Sequence, residues 1–412
     1  MKLTKEEQEM LDGKYGDSVQ KAMELLVAVG ECYDAEELIP VASAHLSGAN
    51  PISAGTGGKR LIMEMAETGR FAVPTTTNPT SLDPWAWREM GFSEALYREH
   101  AALFEAFGKM GGFLCNTCIP YLIGHAPRMR EHVAWCESSA VIYANAVLGS
   151  RTNREGGPTG LAAGITGRTP AYGYHLDEKR HGNLKMIVRT ELKGDTDYAT
   201  LGYFVGTIAQ DRVPIFTGIP HSVSRDELKC LGAALATSGS VAHYHVVGVT
   251  PEAPTEEAAS GYKKISSSDT FEFNSKDLEE TEESITKIEP EKVDLVVLGC
   301  PHASIDQIKN YAGAFSGKKV KNKVETWILT SNIVKKYAEN VGYAKILEST
   351  GVRLVSNTCP SIMPRDFFKS RGYSALATDS SKMAYYASAV QNVLCYYGSL
   401  EKFIDAVTTE VR

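Results

Sequence analysis

No stretch of this chain stays apolar for the roughly 18 residues that a membrane-spanning helix needs, so no membrane partner is expected. Long runs of lysine or arginine are also missing. The 43 cations against 50 anions leave a net charge of −7, which gives nucleic-acid binding little electrostatic support. The first residues, Met-Lys-Leu-Thr-Lys-Glu-Glu, are charged and helix-forming rather than the apolar segment of an export signal. Neither standard phosphate loop is present: in Gly55-Thr-Gly-Gly-Lys-Arg60 an arginine stands where Gly-x-Gly-x-x-Gly needs its last glycine. The eight cysteines lack the regular spacing of a disulfide framework. Together with the missing export signal, that points to the reducing cytoplasm, where grouped cysteines more often serve metals or catalysis.

What the chain does have is three cysteines in near-identical settings. Cys118 ends Gly-Gly-Phe-Leu-Cys-Asn-Thr-Cys, Cys300 ends Leu-Val-Val-Leu-Gly-Cys, and Cys359 ends Leu-Val-Ser-Asn-Thr-Cys. Proline follows each at once or one residue later, and Asn-Thr-Cys occurs twice. Short apolar runs closed by Gly, Asn or Pro read as buried strands. In open α/β sheets, ligands collect beyond the carboxyl ends of the strands. Three thiolates around one metal centre leave a position open for substrate. Cysteine is also a common core residue, and Cys115 with Cys118 forms a Cys-x-x-Cys that a redox dithiol would use.

Along the chain, helices alternate with short strands. Helices are expected near 18–32, 59–68, 93–110, 132–148, 198–208 and 225–238, and a glycine-rich irregular stretch near 152–169. The acidic segment 251–292 reads as an exposed connection, with one short helix near 275–284, between blocks 1–250 and 293–412. From Val293 the β-α alternation is regular and closes on one long helix, 380–397. Repeated β-α-β units predict mostly parallel sheets flanked by helices.

Several other groups invite an anion or a proton. Gly48, Ala49 and Asn50 lie in a glycine-rich turn feeding a helix, where backbone N–H groups suit an anion. Glu137 sits in an otherwise apolar stretch and must be paired, capped or functional. Arg151 opens Arg-Thr-Asn-Arg-Glu-Gly-Gly, a loop able to grip a carboxylate or phosphate. Lys382 follows Asp379-Ser-Ser at a helix start, where dipole and ammonium act together. His302 follows Cys300-Pro301, in place for a proton or for supporting a ligand.

Cys118-Ile-Pro-Tyr, Glu137-Ser-Ser-Ala with Asn145, Gly149-Ser-Arg-Thr-Asn-Arg-Glu-Gly-Gly, Gly299-Cys-Pro-His and Asn357-Thr-Cys-Pro together resemble the aconitase X family. Ala44-His-Leu-Ser-Gly and Ser381-Lys382 fit it too. The resemblance covers most of the chain and implies an aconitase-like multilayer core. Residues 1–412 would form a catalytic large subunit lacking the small swivelling domain, which is expected as a separate subunit that brings a serine base. It further implies a hydro-lyase whose iron–sulfur cluster is held by Cys118, Cys300 and Cys359. The cofactor expected is a [4Fe-4S] cluster with one iron open to substrate, although three cysteines do not by themselves demand a four-iron cube. Members split in this way dehydrate (R)-5-phosphomevalonate to trans-anhydromevalonate 5-phosphate, a step of an archaeal-type mevalonate pathway. On this basis Glu137 and His302 are expected in catalysis. Gly48, Ala49, Asn50, Asn78, Pro79, Ser138, Ser139, Arg151 and Lys382 are expected at the phosphorylated hydroxy acid. The alternatives are dehydration of cis-3-hydroxy-L-proline, or a non-enzymatic, metal-stabilised subunit that binds RNA or a partner.

Overall fold

The computed structural model describes residues 1–410. The chain divides into two compact units, one of residues 1–181 with 250–252, the other of residues 182–249 with the rest from 253. Among the described residues no helix is long and apolar enough to cross a membrane.

In the first unit a short parallel sheet runs in the order Thr75–Thr77, Ala44–Leu46, Ala134–Trp135. All three strands are buried throughout. Helices Asp17–Cys32, Pro51–Thr68, Glu94–Lys109 and Gly157–Thr166 supply Met23, Leu26, Met65, Phe107 and Leu161 to the core over this sheet. Each such side chain contributes roughly 1.5–3 kcal/mol on full burial. Helix Glu94–Lys109 is capped by Ser93, whose hydroxyl accepts from the Leu96 N–H.

The second unit carries two all-parallel sheets. One runs in the order His245–Val246, Pro214–Thr217, Leu184–Val188, Thr270–Phe273. The other runs Val352–Ser356, Glu325–Thr330, Leu295–Leu298, Ala375–Thr378, Leu394–Tyr397. Leu295-Val-Val-Leu298 is buried at all four positions, as expected of a strand covered on both faces. Helices Gly194–Ala209 and Arg225–Gly239 pack backbone to backbone. A Cβ on Gly202 would stand 2.3 Å from the Leu231 carbonyl oxygen, so only glycine permits this approach.

Four expected elements fall differently. The acidic stretch 251–292 is no bare connection: beside the expected short helix, which is Ser275–Ile285 behind a capping box at Asn274, it holds strand Thr270–Phe273, paired with Leu184–Val188. The expected helix 132–148 is a strand, Ala134–Trp135, then a turn and helix Ser138–Ala146, because the Glu137 carboxylate caps the helix there. The expected helix 380–397 stops at Ala389. The chain turns through Asn392 at φ 53° into strand Leu394–Tyr397, which puts Cys395 on a strand. The glycine-rich stretch contains helix Gly157–Thr166, whose glycines permit close packing; a Cβ on Gly160 would meet the Cys136 sulfur at 2.4 Å.

Candidate functional site

In the first unit the candidates gather past the carboxyl ends of the three-stranded sheet. Leu46 leads into Ser47, Gly48 and Ala49, Thr77 into Asn78 and Pro79, and Trp135 into Cys136, Glu137, Ser138 and Ser139. Asn78 Nδ2 donates to Ser47 Oγ at 3.4 Å, joining two of these loops. Asn50 is the cap of helix Pro51–Thr68 and its Oδ1 accepts from the N–H groups of Ile52 and Ser53. Glu137 likewise caps its helix, accepting from Ala140 N at 2.6 Å and Ser139 Oγ at 2.7 Å. Beside Ser47 and Gly48 opens a cavity of about 330 Å³ walled by Leu46, Ala54, Leu61, Ile62, Phe107 and Leu161.

Cys118 follows Phe113, which makes an isolated parallel bridge to Thr76. Between them Asn116 takes φ 44°. Its N–H donates to Thr77 Oγ1, and its side-chain oxygen accepts from that same hydroxyl at 2.8 Å. The second Asn-Thr-Cys repeats the device in the other unit. Asn357 has φ 62°, its N–H donates to the Thr330 carbonyl, and its Oδ1 accepts from Asn332 N at 3.1 Å. Each asparagine is left-handed and bonded to the threonine that ends the neighbouring strand. Asparagine tolerates this conformation where most residues do not.

In the second unit Cys300 and Cys359 both lie past carboxyl ends of the five-stranded parallel sheet, after Leu298 and Ser356. Gly299 turns the chain at φ 77°. His302 Nε2 donates to the Thr358 carbonyl at 2.9 Å, so Nε2 carries the proton and the ring ties the two cysteine loops together. The neighbouring strand ends at Thr378 and leads into Asp379, Ser380, Ser381 and Lys382. Ser380 Oγ donates to the Cys300 carbonyl and also caps the helix that carries Lys382. A cavity of about 10 Å³, room for one water, is lined by Cys300, Lys382, Asp379, Tyr311, Asp195 and Cys230 among others. Burial raises the Asp379 carboxyl to about 7 although Tyr311 donates to it at 2.6 Å.

The donor set fits an iron–sulfur group. None of the three thiols is in a disulfide, and Cys300 and Cys359 are only half-buried. Thiolate is the ligand such clusters need. Burial pushes other thiols away from that state: Cys115 up to about 11, Cys136 up to about 12, and Cys230 and Cys395 upward as well. Cys115 Sγ moreover donates to the Thr77 carbonyl. Among the described residues, no three His, Cys, Asp or Glu side chains are grouped as a ready metal site; Cys118 belongs to the first unit, Cys300 and Cys359 to the second.

Arg151 departs from its expected place. It bridges His132, which precedes strand Ala134–Trp135, so it sits toward the amino end of the sheet whose carboxyl end carries the other candidates. Its guanidinium bonds the Asp177 carboxylate and the His175 carbonyl, while Nε has no hydrogen-bond partner among the described residues. Two buried groups escaped the sequence reading. His45, on the middle strand, bonds Thr76 Oγ1 through Nδ1 at 2.8 Å. Burial first, then nearby His125, lower its pKa to about 3, so it is neutral. Its flanks, Ala44 and Leu46, marked a buried strand and were the available signal. The other is Lys229, on helix Arg225–Gly239.

Family models match the chain from end to end: aconitase X first domain over residues 1–178, second domain over 183–283 and third domain over 293–409. The phosphomevalonate dehydratase large subunit of Methanothermobacter thermautotrophicus is 43% identical over 93% of each chain. That of Methanocaldococcus jannaschii is 38% identical over 98% of this chain and 99% of its own. A cis-3-hydroxy-L-proline dehydratase of Pseudomonas aeruginosa is 33% identical over 97% of this chain, which spans 69% of it. The crystal structure of Thermococcus kodakaraensis aconitase X in its holo-form superposes with a TM-score of 0.89 at 35% identity, covering 99% of this chain and 100% of the other. With three adjoining domain models and near-full-length relatives in agreement, the chain belongs to the aconitase X family.

Proposed function

We propose that this chain is the large subunit of a hydro-lyase that dehydrates (R)-5-phosphomevalonate to trans-anhydromevalonate 5-phosphate. The observation that carries the reading is the near-full-length identity to archaeal proteins named phosphomevalonate dehydratase large subunit. The word "large" in those names supports a separate small subunit as partner. In the reaction a proton leaves C2, the C3–O bond breaks, and the hydroxyl departs as water with a C2–C3 double bond left behind. Cys118, Cys300 and Cys359 are proposed to hold an iron–sulfur cluster, a [4Fe-4S] in the simplest form. When bound, the cluster supplies a Lewis acid for the departing hydroxyl.

The chain's own residues bind and orient. Lys382 supplies a cation, joined to the helix start that Ser380 caps. Because Asn50 caps its own helix, the first-unit anion contact is left to the backbone of Gly48 and Ala49, with Asn78 and Pro79 shaping the loop beside them. Ser138 and Ser139 are proposed substrate contacts whose rotamers Glu137 sets. His302 is proposed to act by holding the Cys359 loop against that of Cys300. The base for the C2 proton is proposed on the small subunit. The enzyme assembled anaerobically from both subunits should dehydrate (R)-5-phosphomevalonate and leave cis-3-hydroxy-L-proline untouched. Turnover of hydroxyproline alone would transfer the reading to the other branch of the family.

A further inference from the structure

Lys229 has no role in the reading above. It lies on helix Arg225–Gly239, yet only 2% of it is exposed. Its ammonium meets Asp226 Oδ1 at 2.8 Å and donates to Gln307 Oε1 at 2.5 Å and to the His302 carbonyl at 3.4 Å. Burial alone would lower its pKa, but Asp226, with Cys230 and Asp195 nearby, more than offsets this and the lysine stays charged. A buried ion pair is weak evidence of stabilisation, since apolar residues of similar volume often do as well. The pair therefore needs another explanation, and its remaining bonds supply one.

Those bonds converge on the loop that carries Cys300. Lys229 holds the His302 carbonyl, and Asp226 Oδ2 accepts from Ser304 Oγ at 2.5 Å. Thr330 Oγ1 donates to the Ala303 carbonyl at 2.8 Å and Ser380 Oγ to the Cys300 carbonyl. The loop is thus gripped at Cys300, His302, Ala303 and Ser304 from separate elements, and the grip at two of these points is the buried ion pair.

We propose that Lys229 and Asp226 form a clamp that fixes the Cys300 thiol and the His302 ring in place, with Lys229 a positioning residue. The inference rests on the reading of Cys300 as a cluster ligand. Supporting groups of this kind typically change metal affinity by roughly 10- to 100-fold when removed.

The test uses the full chain loaded anaerobically with iron and sulfide, as wild type, Lys229→Met, and the double variant Lys229→Met/Asp226→Asn. Iron loss to a chelator, the visible and paramagnetic spectra, and the melting temperature are measured on each. Lys229→Met should melt lower, because Asp226 is left without its counter-charge. The double variant should regain most of that melting temperature, yet lose iron at least about tenfold faster than wild type, with an altered spectrum. Wild-type iron retention and spectrum in a double variant of restored stability would overturn the proposal and leave the pair a packing feature. Should the double variant not fold, Lys229→Gln gives the same comparison: faster iron loss supports the clamp and unchanged loss overturns it. If the wild-type chain takes up no iron, the ligand reading fails, not the clamp. The clamp is then read from iodoacetamide labelling of Cys300 in the iron-free protein. A several-fold change in its rate in the variants, with exposed Cys32 unchanged, supports it; an unchanged rate overturns it.

Discussion

Lys382 and Arg151 are both cations that the sequence nominates for an anionic substrate, and burial alone does not separate them. Lys382 is 7% exposed and Arg151 8%. Arg151 is ion-paired to Asp177, and Lys382 lines the small cavity beside Cys300, so substitution is what separates them. A hydrogen bond to a charged group is worth roughly 1.5–3 kcal/mol, and about 1.4 kcal/mol is a factor of ten. Lys382→Met should therefore weaken binding of the phosphorylated substrate about ten- to a hundredfold. Arg151→Met should show the reverse, a lower melting temperature with substrate affinity retained. Titration calorimetry beside thermal melts decides between them, and equal affinity in Lys382→Met and wild type would remove the lysine from the site. His45 makes a pH prediction. Its folded pKa is about 3 against an ordinary 6.5, so between these values the unfolded chain binds more protons. Stability then rises with pH through that window and is lost on acidification below 6.5. His45→Gln should reduce the slope of unfolding free energy against pH between 4.5 and 6.5, by up to about 1.4 kcal/mol per pH unit. An unchanged slope in denaturant titrations would mean that His45 is not held neutral.

At the scale of single elements, the strand ends were the legible part. Apolar runs closed by Gly-Cys or Asn-Thr-Cys located Leu295–Leu298 and Val352–Ser356 within a residue or two, and parallel pairing then set Cys300 and Cys359 on one sheet edge. Short strands were harder. Ala134–Trp135 and Leu394–Tyr397 sit in apolar stretches whose periodicity suits a helix equally well, and only pairing with a distant strand decides the matter. The repeated asparagines show what local sequence carries best: the left-handed turn each adopts involves only two or three residues. Gly299 is the sharpest case, since a Cβ there would lie 2.5 Å from the Leu329 carbonyl oxygen in addition to the positive φ. Gly299→Ala should cost about 1–3 kcal/mol of stability and displace Cys300. Asn357→Ala should cost about as much, by losing both the left-handed tolerance and the bond from Asn332. Denaturant unfolding of both variants checks this, and a loss under about 0.5 kcal/mol in each would show that the loops tolerate other conformations.

For the whole molecule, the class of fold was readable from the β-α alternation, while the way the chain is partitioned was not. The acidic composition of 251–292 imitates a linker, but Phe273 is fully buried and completes a sheet. A few apolar residues among many carboxylates suffice when a sheet edge is waiting for them. Lys229 was illegible for a similar reason: a lysine near a helix start suits a solvated face, and its burial depends on Asp226 one turn back on the same helix together with the His302 carbonyl and Gln307 side chain brought by another element. The central claim concerns three cysteines far apart in sequence serving one cluster. Its most direct measurement is iron and acid-labile sulfide per chain, with the visible absorption band, in anaerobically reconstituted wild type and in the serine variants of Cys115, Cys118, Cys300 and Cys359. The account predicts that Cys118→Ser, Cys300→Ser and Cys359→Ser each lose most of the iron and the band, while Cys115→Ser keeps both. A full cluster in Cys300→Ser, or its loss in Cys115→Ser, would contradict the account.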